Sequence, residues 1–381
     1  MLVNIEFLDQ EAIENVITCL NYKVDKVIFF GRKEDIELKG AFTENFLKKH
    51  CSVLEVEFHP VSETNLVELL EEMTEVIEKE QQASNEVFFD LTGGEGLMLV
   101  AFGILSKEKH LAMHMYQIES GWLYELNSEE APCISQVATK RQVPMNIDTY
   151  IQMQGGVVNH SMHKANKELT GEAFAKDIAG LWQICDKYKK TWNIFSEFLR
   201  DYCQPNASLE VAFDIAEIEA KIQNKNKYKN GDIERIFVAC SDLGVLENMV
   251  SDGNGCKFRY KSAAIQDILW DAGSVLEMHT YMEYREKSAD CMVGVHLDWD
   301  GTIHGGWGRD TINEIDVLAL KGYIPTFISC KNGNVDQMAL YELETVAKRF
   351  GGKYAKKVLV APQGLNKPHR IRAREMGIEV K

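Results

Sequence analysis

The stretch Asn313-Glu314-Ile315-Asp316-Val317-Leu318, a turn around Lys321-Gly322, and then Phe327-Ile328-Ser329-Cys330-Lys331 read together as a β-hairpin. Strand side chains alternate between faces, so Glu314 and Asp316 project together while Ile315 and Val317 turn toward a core. On the return strand Ser329 and Lys331 share one face. An acid and a lysine are thereby held on rigid elements. Phosphodiester cleavage requires such a pair: a hard cation on carboxylate oxygens to activate water, and a protein cation beside the water or the phosphate.

Outward from the hairpin, Ser262 to Tyr284 is apolar at helical spacing through Ile265, Leu269, Leu276 and Met282, and a second helix is predicted from Val335 to Phe350. An isolated acid and lysine would read most simply as solvated faces of an ordinary hairpin. The order helix Glu, strand Asp, return-strand Lys and following helix resembles the PD-(D/E)xK nuclease superfamily, and Gly273-Ser274-Val275-Leu276-Glu277 is similar to its Gly-x-x-Leu-Glu helix. The resemblance implies a restriction-endonuclease-like domain. In it Glu277 and Asp316 bind Mg²⁺ or Mn²⁺, Lys331 is the catalytic lysine and Cys330 offers its carbonyl oxygen. One position departs from the pattern, because Ser329 stands where the second acid is usual. A serine is a weak ligand for these ions, so either Glu277 or Glu314 supplies the missing charge or the domain is inactive.

The 381 residues suffice for two domains with substantial cores, and 45% hydrophobic with 26% charged residues is ordinary for a globular protein. No run approaches a membrane-spanning helix and the N-terminus lacks a signal-peptide pattern, so a cytoplasmic protein without membrane attachment is expected. Nine cysteines include no Cys-x-x-Cys pair, which suits reduced, mostly buried thiols such as Cys19 and Cys240 and does not support a zinc site. A net charge of −16 argues against polyanion binding over the whole surface. From Lys348 to Arg374, however, lysines and arginines occur with no acidic residue, a candidate phosphate-tracking surface.

In the N-terminal half, Leu2 to Leu8, Val24 to Phe30, Val53 to Phe58, Val87 to Leu91 and Leu111 to Tyr116 read as strands with helices between most of them. That pattern predicts a parallel α/β sheet, with ligands outside the strand carboxyl ends at the switch point. After the fourth strand, Asp90-Leu91-Thr92-Gly93-Gly94-Glu95-Gly96 opens directly into a helix. Its glycines let backbone amides approach a ligand, Thr92 offers a hydroxyl and the helix N-terminus favours phosphate. The same glycines could serve turn geometry alone. The loop lacks Walker A spacing and a Lys-Ser/Thr pair, so ATP hydrolysis is not indicated.

This Asp-Leu-Thr-Gly-Gly turn closely resembles that of CARF domains, the Rossmann-like cyclic-oligoadenylate sensors of type III CRISPR systems. The resemblance implies that Thr92, Gly93, Gly94 and Glu95 contact the cyclic nucleotide, joined by Asp9 and Gln10 after the first strand and by Gly31 and Arg32 after the second.

Between the halves, Gly171 to Tyr202 is helical with aromatics at Trp182, Tyr188, Trp192, Phe195 and Phe198 that suit a core. Asp232 to Met249 reads as a helix, and the alternating Cys256 to Tyr260 after it resembles the wing of a winged-helix module. That helix bears Asp232, Glu234, Asp242 and Glu247, which favours a spacer over a DNA reader.

The expected organisation is a CARF sensor at 1–150, a helical, winged-helix-like connector at 151–260 and a nuclease domain at 261–381. The expected function is that of the CARF-nuclease effectors: a metal-dependent endonuclease acting on DNA or RNA with little sequence preference, activated by a cyclic oligoadenylate such as cyclic tetra-adenylate. A two-fold symmetric ring implies a homodimer. Two rivals remain: a ligand-sensing regulator with an inactive nuclease domain, and a ligand-independent restriction or repair endonuclease.

Overall fold

The computed structural model describes residues 1–62, 64–94, 96–126, 133–136, 145–162, 171–214, 216, 231–304 and 312–381. Its N-terminal part is a seven-stranded sheet in the order β3-β2-β1-β4-β5-β6-β7. The first five strands, β1 (Leu2–Phe7), β2 (Lys26–Gly31), β3 (Glu55–Pro60), β4 (Glu86–Asp90) and β5 (Ala112–Gln117), are parallel, as the apolar runs predict. Every residue of β2 is buried, which explains why its sequence does not alternate. Two antiparallel strands, β6 (Trp122–Leu126) and β7 (Cys133–Gln136), complete the edge. Strand order reverses at β1, so the crevice between the carboxyl ends of β1 and β4 is the switch point.

Helices α1 (Ile17–Asn21), α2 (Leu66–Gln82) and α3 (Leu97–Lys109) accompany this sheet, together with a helical run from Lys33 to Cys51. The second of them starts where Asn65 accepts from Val67 N at 3.2 Å, an N-cap. Its Leu69, Met73 and Ile77 pack with Met98, Ala101, Phe102 and Leu105 of α3 and with Ile5, Ile28 and Phe89 on one sheet face.

The C-terminal sheet has six strands in the order β16-β15-β14-β13-β12-β8. Strands β8 (Val157–Val158), β12 (Asp290–Asp298), β13 (Ile312–Lys321) and β14 (Ile324–Cys330) are antiparallel, while β15 (Lys356–Val360) and β16 (Ile378–Val380) run parallel to β14. Because β8 joins this sheet, and α4 (Ile147–Met153) packs against it, the chain enters the C-terminal layer before the connector begins. The connector comprises α5 (Glu172–Lys187), α6 (Lys189–Tyr202), α7 (Asp232–Asp242) and a three-stranded sheet, β10-β11-β9, built from β9 (Glu210–Asp214), β10 (Leu246–Ser251) and β11 (Gly255–Tyr260).

In three places a single predicted helix is interrupted, twice by a second helix and once by a strand. The segment 262–284 divides into α8 (Ala263–Trp270) and α9 (Ser274–Arg285), because Asp271 accepts from the Ser274 hydroxyl at 2.7 Å and from Gly273 N at 3.2 Å, which favours a new start over continuation. The segment 171–202 breaks at Tyr188. In 232–249, α7 stops at Asp242 and Leu246 onward is strand, since Val245 and Leu246 are drawn into the core around Phe258 and Tyr260. Beyond the hairpin, α10 (Gln337–Gly351) and α11 (Lys367–Glu375) cover the sheet and its edge.

One continuous apolar core joins the two large sheets. Leu8, Ile13, Val16 and Ile17 from the first pack in the same cluster as Tyr150 of α4, Tyr323 and Phe327 of the hairpin region, and Phe350 of α10. The other face of the C-terminal sheet, through Val293, Val317 and Ile328, packs on α9 and the connector's Trp192, Phe195 and Phe258. The eight cysteines whose side chains are described are free and six of them are buried, in keeping with reduced thiols. None of the described helices is long and apolar enough to cross a membrane.

Candidate functional site

The hairpin brings Asp316 of β13, Ser329 and Cys330 of β14, and Lys331 just beyond it to one place. Asp316 Oδ2 accepts from the Cys330 main-chain N–H at 2.6 Å and from the Ser329 hydroxyl at 3.2 Å, with Lys331 Nζ 4.0 Å away. Only 15% of the Asp316 side chain is exposed, against 38% for Lys331, so the lysine end faces solvent and the acid backs onto the core. Burial pushes the Asp316 carboxyl above its ordinary range, and the Cys330 N–H, Lys331 and Ser329 offset this only in part. The position of the absent second acid is therefore occupied by a donor that fixes the remaining one.

Glu277 is buried in the first turn of α9, and its carboxylate lies against Gly273 in the preceding turn. It contributes, with Asp316, to the negative field that raises the nearby Cys330 thiol, after burial itself. Glu314 is different: its side chain is 47% exposed and stands 3.9 Å from His296 across the β12–β13 ladder. Of the two acids that could compensate for Ser329, the fold buries Glu277 and leaves Glu314 at the surface.

One residue that sequence reasoning missed frames this site. Asn332, buried next to Lys331, donates to Ala272 O at 3.4 Å, and its own carbonyl accepts from Gln363 Nε2 at 3.1 Å. It ties the lysine to the turn on which Glu277 rests. Nothing in the sequence marked it, because its partners are 60 and 31 residues away.

The candidate donors here are the Glu277 and Asp316 carboxylates and the Cys330 carbonyl. No group of three or more His, Cys, Asp or Glu side chains is placed to hold a metal among the described residues. Hard oxygen donors of this number suit an ion such as Mg²⁺, which commonly takes one or two protein carboxylates and completes its shell with water and substrate phosphate. A buried carboxyl pushed upward by desolvation is also one that a cation would relieve. The residues thus fit a lightly held divalent ion and do not form a closed cage.

Of the basic run, Arg349 donates to Trp299 O at 2.7 Å and to Gly155 O at 3.3 Å, and Lys357 bonds Glu344 and Met376 O. Lys353 pairs with Glu14 at 2.8 Å. These three hold the fold together. Lys348, Lys356, Lys367, Arg370, Arg372 and Arg374 remain exposed.

At the switch point of the N-terminal sheet, the residues after β1 and β4 meet. Gly94 N donates to Asp9 Oδ2 at 3.0 Å, and Asp9 is itself braced by Glu11 N at 3.0 Å and by Asn15, which accepts from Asp9 N at 2.7 Å. Hydrogen bonds to a carboxylate contribute about 1.5–3 kcal/mol each, so this loop is more firmly set than an ordinary surface turn. Gly94 adopts φ +97°, and a Cβ there would lie 3.2 Å from the Phe7 Cβ. The positive φ favours glycine, and a side chain there would also crowd Phe7.

Thr92 is turned inward. Its hydroxyl donates to Asp90 Oδ1 and accepts from Tyr116 N at 2.9 Å, while its N–H also reaches Asp90 at 2.9 Å. Burial pulls the Asp90 carboxyl upward, but His114 with the Thr18 and Thr92 hydroxyls outweighs it and keeps the group below its ordinary range. Thr92 therefore positions the loop from below. Gln10 is exposed at the same edge and its carbonyl accepts from Lys39 Nζ at 2.8 Å. Gly31 lies against Leu8, and Arg32 pairs with Asp35 at 2.7 Å. Glu95 lies outside the described residues.

No family model matches the sequence. No curated protein matches it either. Among solved structures, that of protein VC1899 from Vibrio cholerae is similar to this chain with a TM-score of 0.73 at 15% identity, over 100% of this chain and 93% of that one. The structure of Can2 from Sulfobacillus thermosulfidooxidans, in complex with cyclic tetra-adenylate, gives a TM-score of 0.69 at 14% identity over 100% of this chain and 93% of that one. The likeness extends through both large sheets and the connector. At such identity it establishes a shared fold.

Proposed function

We propose that this protein is a nuclease whose cleavage at the Asp316–Lys331 site is switched on by a cyclic oligoadenylate bound at the Gly93–Gly94 loop. The observation that carries the reading is the joint placement of two sites in one chain. A glycine loop with its amides set at a parallel-sheet switch point lies on one sheet, and a partly buried Asp with an adjacent, more exposed Lys lies on the other. The whole-chain likeness to a protein solved with cyclic tetra-adenylate supports the choice of activator.

Glu277 and Asp316, with the Cys330 carbonyl, would hold Mg²⁺ or Mn²⁺, which when bound supplies a more acidic water and offsets phosphate charge. Asp316 is kept in a single orientation by the Cys330 N–H and the Ser329 hydroxyl. Lys331 reaches into solvent beside it, where its ammonium orients the attacking water or neutralises charge on the scissile phosphate. The six exposed basic residues between Lys348 and Arg374 offer non-specific contacts to a nucleic-acid backbone, which suits low sequence preference. The exposed side of α7 carries Glu234, Arg235 and Asp242 and gives no basic reading surface, so the connector serves as a spacer.

A homodimer follows from the same reading. Helix α3 is apolar on both sides: beyond its core face, Leu99 is 39% and Val100 48% exposed, and Gly103 lies open beside them. A second copy packed there would cover this face and bring two Gly93–Gly94 loops to one two-fold symmetric ring.

The test is incubation of the purified chain with labelled single-stranded DNA, RNA and plasmid, with and without cyclic tetra-adenylate and Mn²⁺. Cleavage that requires both additions supports the proposal. Activator binding without cleavage points to a regulator with an inactive nuclease domain, and cleavage indifferent to activator to a ligand-independent endonuclease.

A further inference from the structure

The segment joining the two candidate sites is short and fully traceable. Asp9, which holds Gly94, begins the loop Asp9–Asn15. Two acids of this loop reach across to the C-terminal sheet: Glu11 Oε2 accepts from Lys353 N at 3.0 Å, and Glu14 Oε1 accepts from the Tyr354 hydroxyl and pairs with Lys353 Nζ at 2.8 Å. Glu14 is buried, and burial raises its carboxyl despite those partners. Its Cβ lies 3.6 Å from where a side chain on Gly93 would begin, so any side chain there would meet both Asp9 and Glu14.

The turn that receives these acids is built for close approach. Gly352 adopts φ +63°, and a Cβ there would stand 2.1 Å from Glu11 Oε2. Tyr150 anchors the same turn by donating to Gly351 O at 3.1 Å. Downstream the turn runs into β15, whose last residue, Val360, accepts the Lys331 N–H at 2.9 Å. Gly94, Asp9, Glu11 with Glu14, Lys353 with Tyr354, β15 and Lys331 thus form one contiguous series of hydrogen bonds and rigid backbone.

We infer that the turn Gly352–Tyr354 is the latch through which occupation of the Gly93–Gly94 loop is transmitted to the catalytic lysine. The inference rests on the sensor reading of that loop and adds the place of coupling. A ligand phosphate taking the Gly94 N–H competes with Asp9 for it. Asp9 then relaxes its hold on the Glu11 amide, and the acids that grip Lys353 and Tyr354 shift with the loop. By reciprocity, weakening the latch must loosen the sensor loop even without ligand.

Amide hydrogen exchange in the full chain tests this without any need for cleavage. In ligand-free protein, Tyr354→Phe and Lys353→Ala are expected to speed exchange at Gly94 and Glu11 by about three- to tenfold, the scale of one or two lost hydrogen bonds, with Phe29 in the sheet core unchanged as a check on folding. Unchanged exchange at Gly94 in both variants overturns the latch. In a second arm, cyclic tetra-adenylate is added to the wild type, where exchange at Lys353 is expected to change on binding. Binding with no change at Lys353 also overturns the latch. A chain that binds no cyclic oligoadenylate defeats the sensor reading instead, and the first arm alone then decides whether loop and turn are coupled.

Discussion

Lys331 Nζ lies 4.0 Å from Asp316 Oδ2, while the Cys330 N–H, one residue earlier in the chain, holds that same oxygen at 2.6 Å. The acid is therefore oriented by the strand that delivers the lysine, and the pair moves as a unit. This explains how a serine at position 329 can be accommodated: its hydroxyl adds a second hydrogen bond to Asp316. Under the proposed function, the buried Glu277 is the acid that would supply the charge a second strand acid would have given.

Asp316→Asn and Glu277→Gln should each lower metal-dependent cleavage by more than ~10-fold, since even outer-shell partners of a metal are worth that much and an amide is a poorer ligand for a hard ion. Glu314→Gln should cost far less, because its side chain is half exposed and faces His296. The comparison is read in cleavage rates across a Mn²⁺ titration. An inactive Glu314→Gln beside an active Glu277→Gln would reverse the assignment.

Burial raises the Asp316 carboxyl in the folded chain, so without metal its ionised form is disfavoured there relative to the unfolded chain. Below pH 3.8, the group's ordinary value, Asp316 is protonated in both states and costs nothing. As pH rises from there through the raised folded value, the unfolded chain ionises first and stability falls. Asp316→Asn removes that loss. In a chelator, its Tm should exceed the wild-type Tm at pH 8, and the difference should shrink as the pH is lowered toward 4. Equal melting at pH 8 would mean that the buried carboxyl is compensated by something other than a metal.

Gly94→Val should abolish cyclic tetra-adenylate binding while sparing the cleavage chemistry. The substituted Cβ meets Phe7 at 3.2 Å, and a β-branched residue resists φ +97°. Calorimetry on a variant shown by circular dichroism to be folded separates lost binding from lost structure. Normal binding and normal activation would make this turn a purely structural one and favour the ligand-independent endonuclease.

The parallel sheet and the hairpin were legible because each rests on local patterns, short apolar-rich runs spaced by helices for β1 to β5 and alternation for β13. Helix breaks at Asp271 and Tyr188 were not, since the apolar spacing continues through them and only side-chain capping or packing decides the stop. Thr92 was marked by its motif, yet its inward orientation depends on Asp90 and on the Tyr116 amide 24 residues later. Nor did the basic run show which of its members are paired, because Glu14, which takes Lys353, is more than 300 residues distant in sequence. Local composition cannot reveal a partner that only the tertiary fold supplies.

The most direct test of the account is the cleavage rate of wild-type and Lys331→Ala protein, each with Mn²⁺ and with or without cyclic tetra-adenylate. Activator-dependent cleavage is expected of the wild type and a loss of at least ~100-fold of the variant, as for removal of one transition-state charge stabiliser, with activator affinity unchanged. Full activator-dependent cleavage by Lys331→Ala would contradict it, because the cut would then be made somewhere other than the Asp316–Lys331 site.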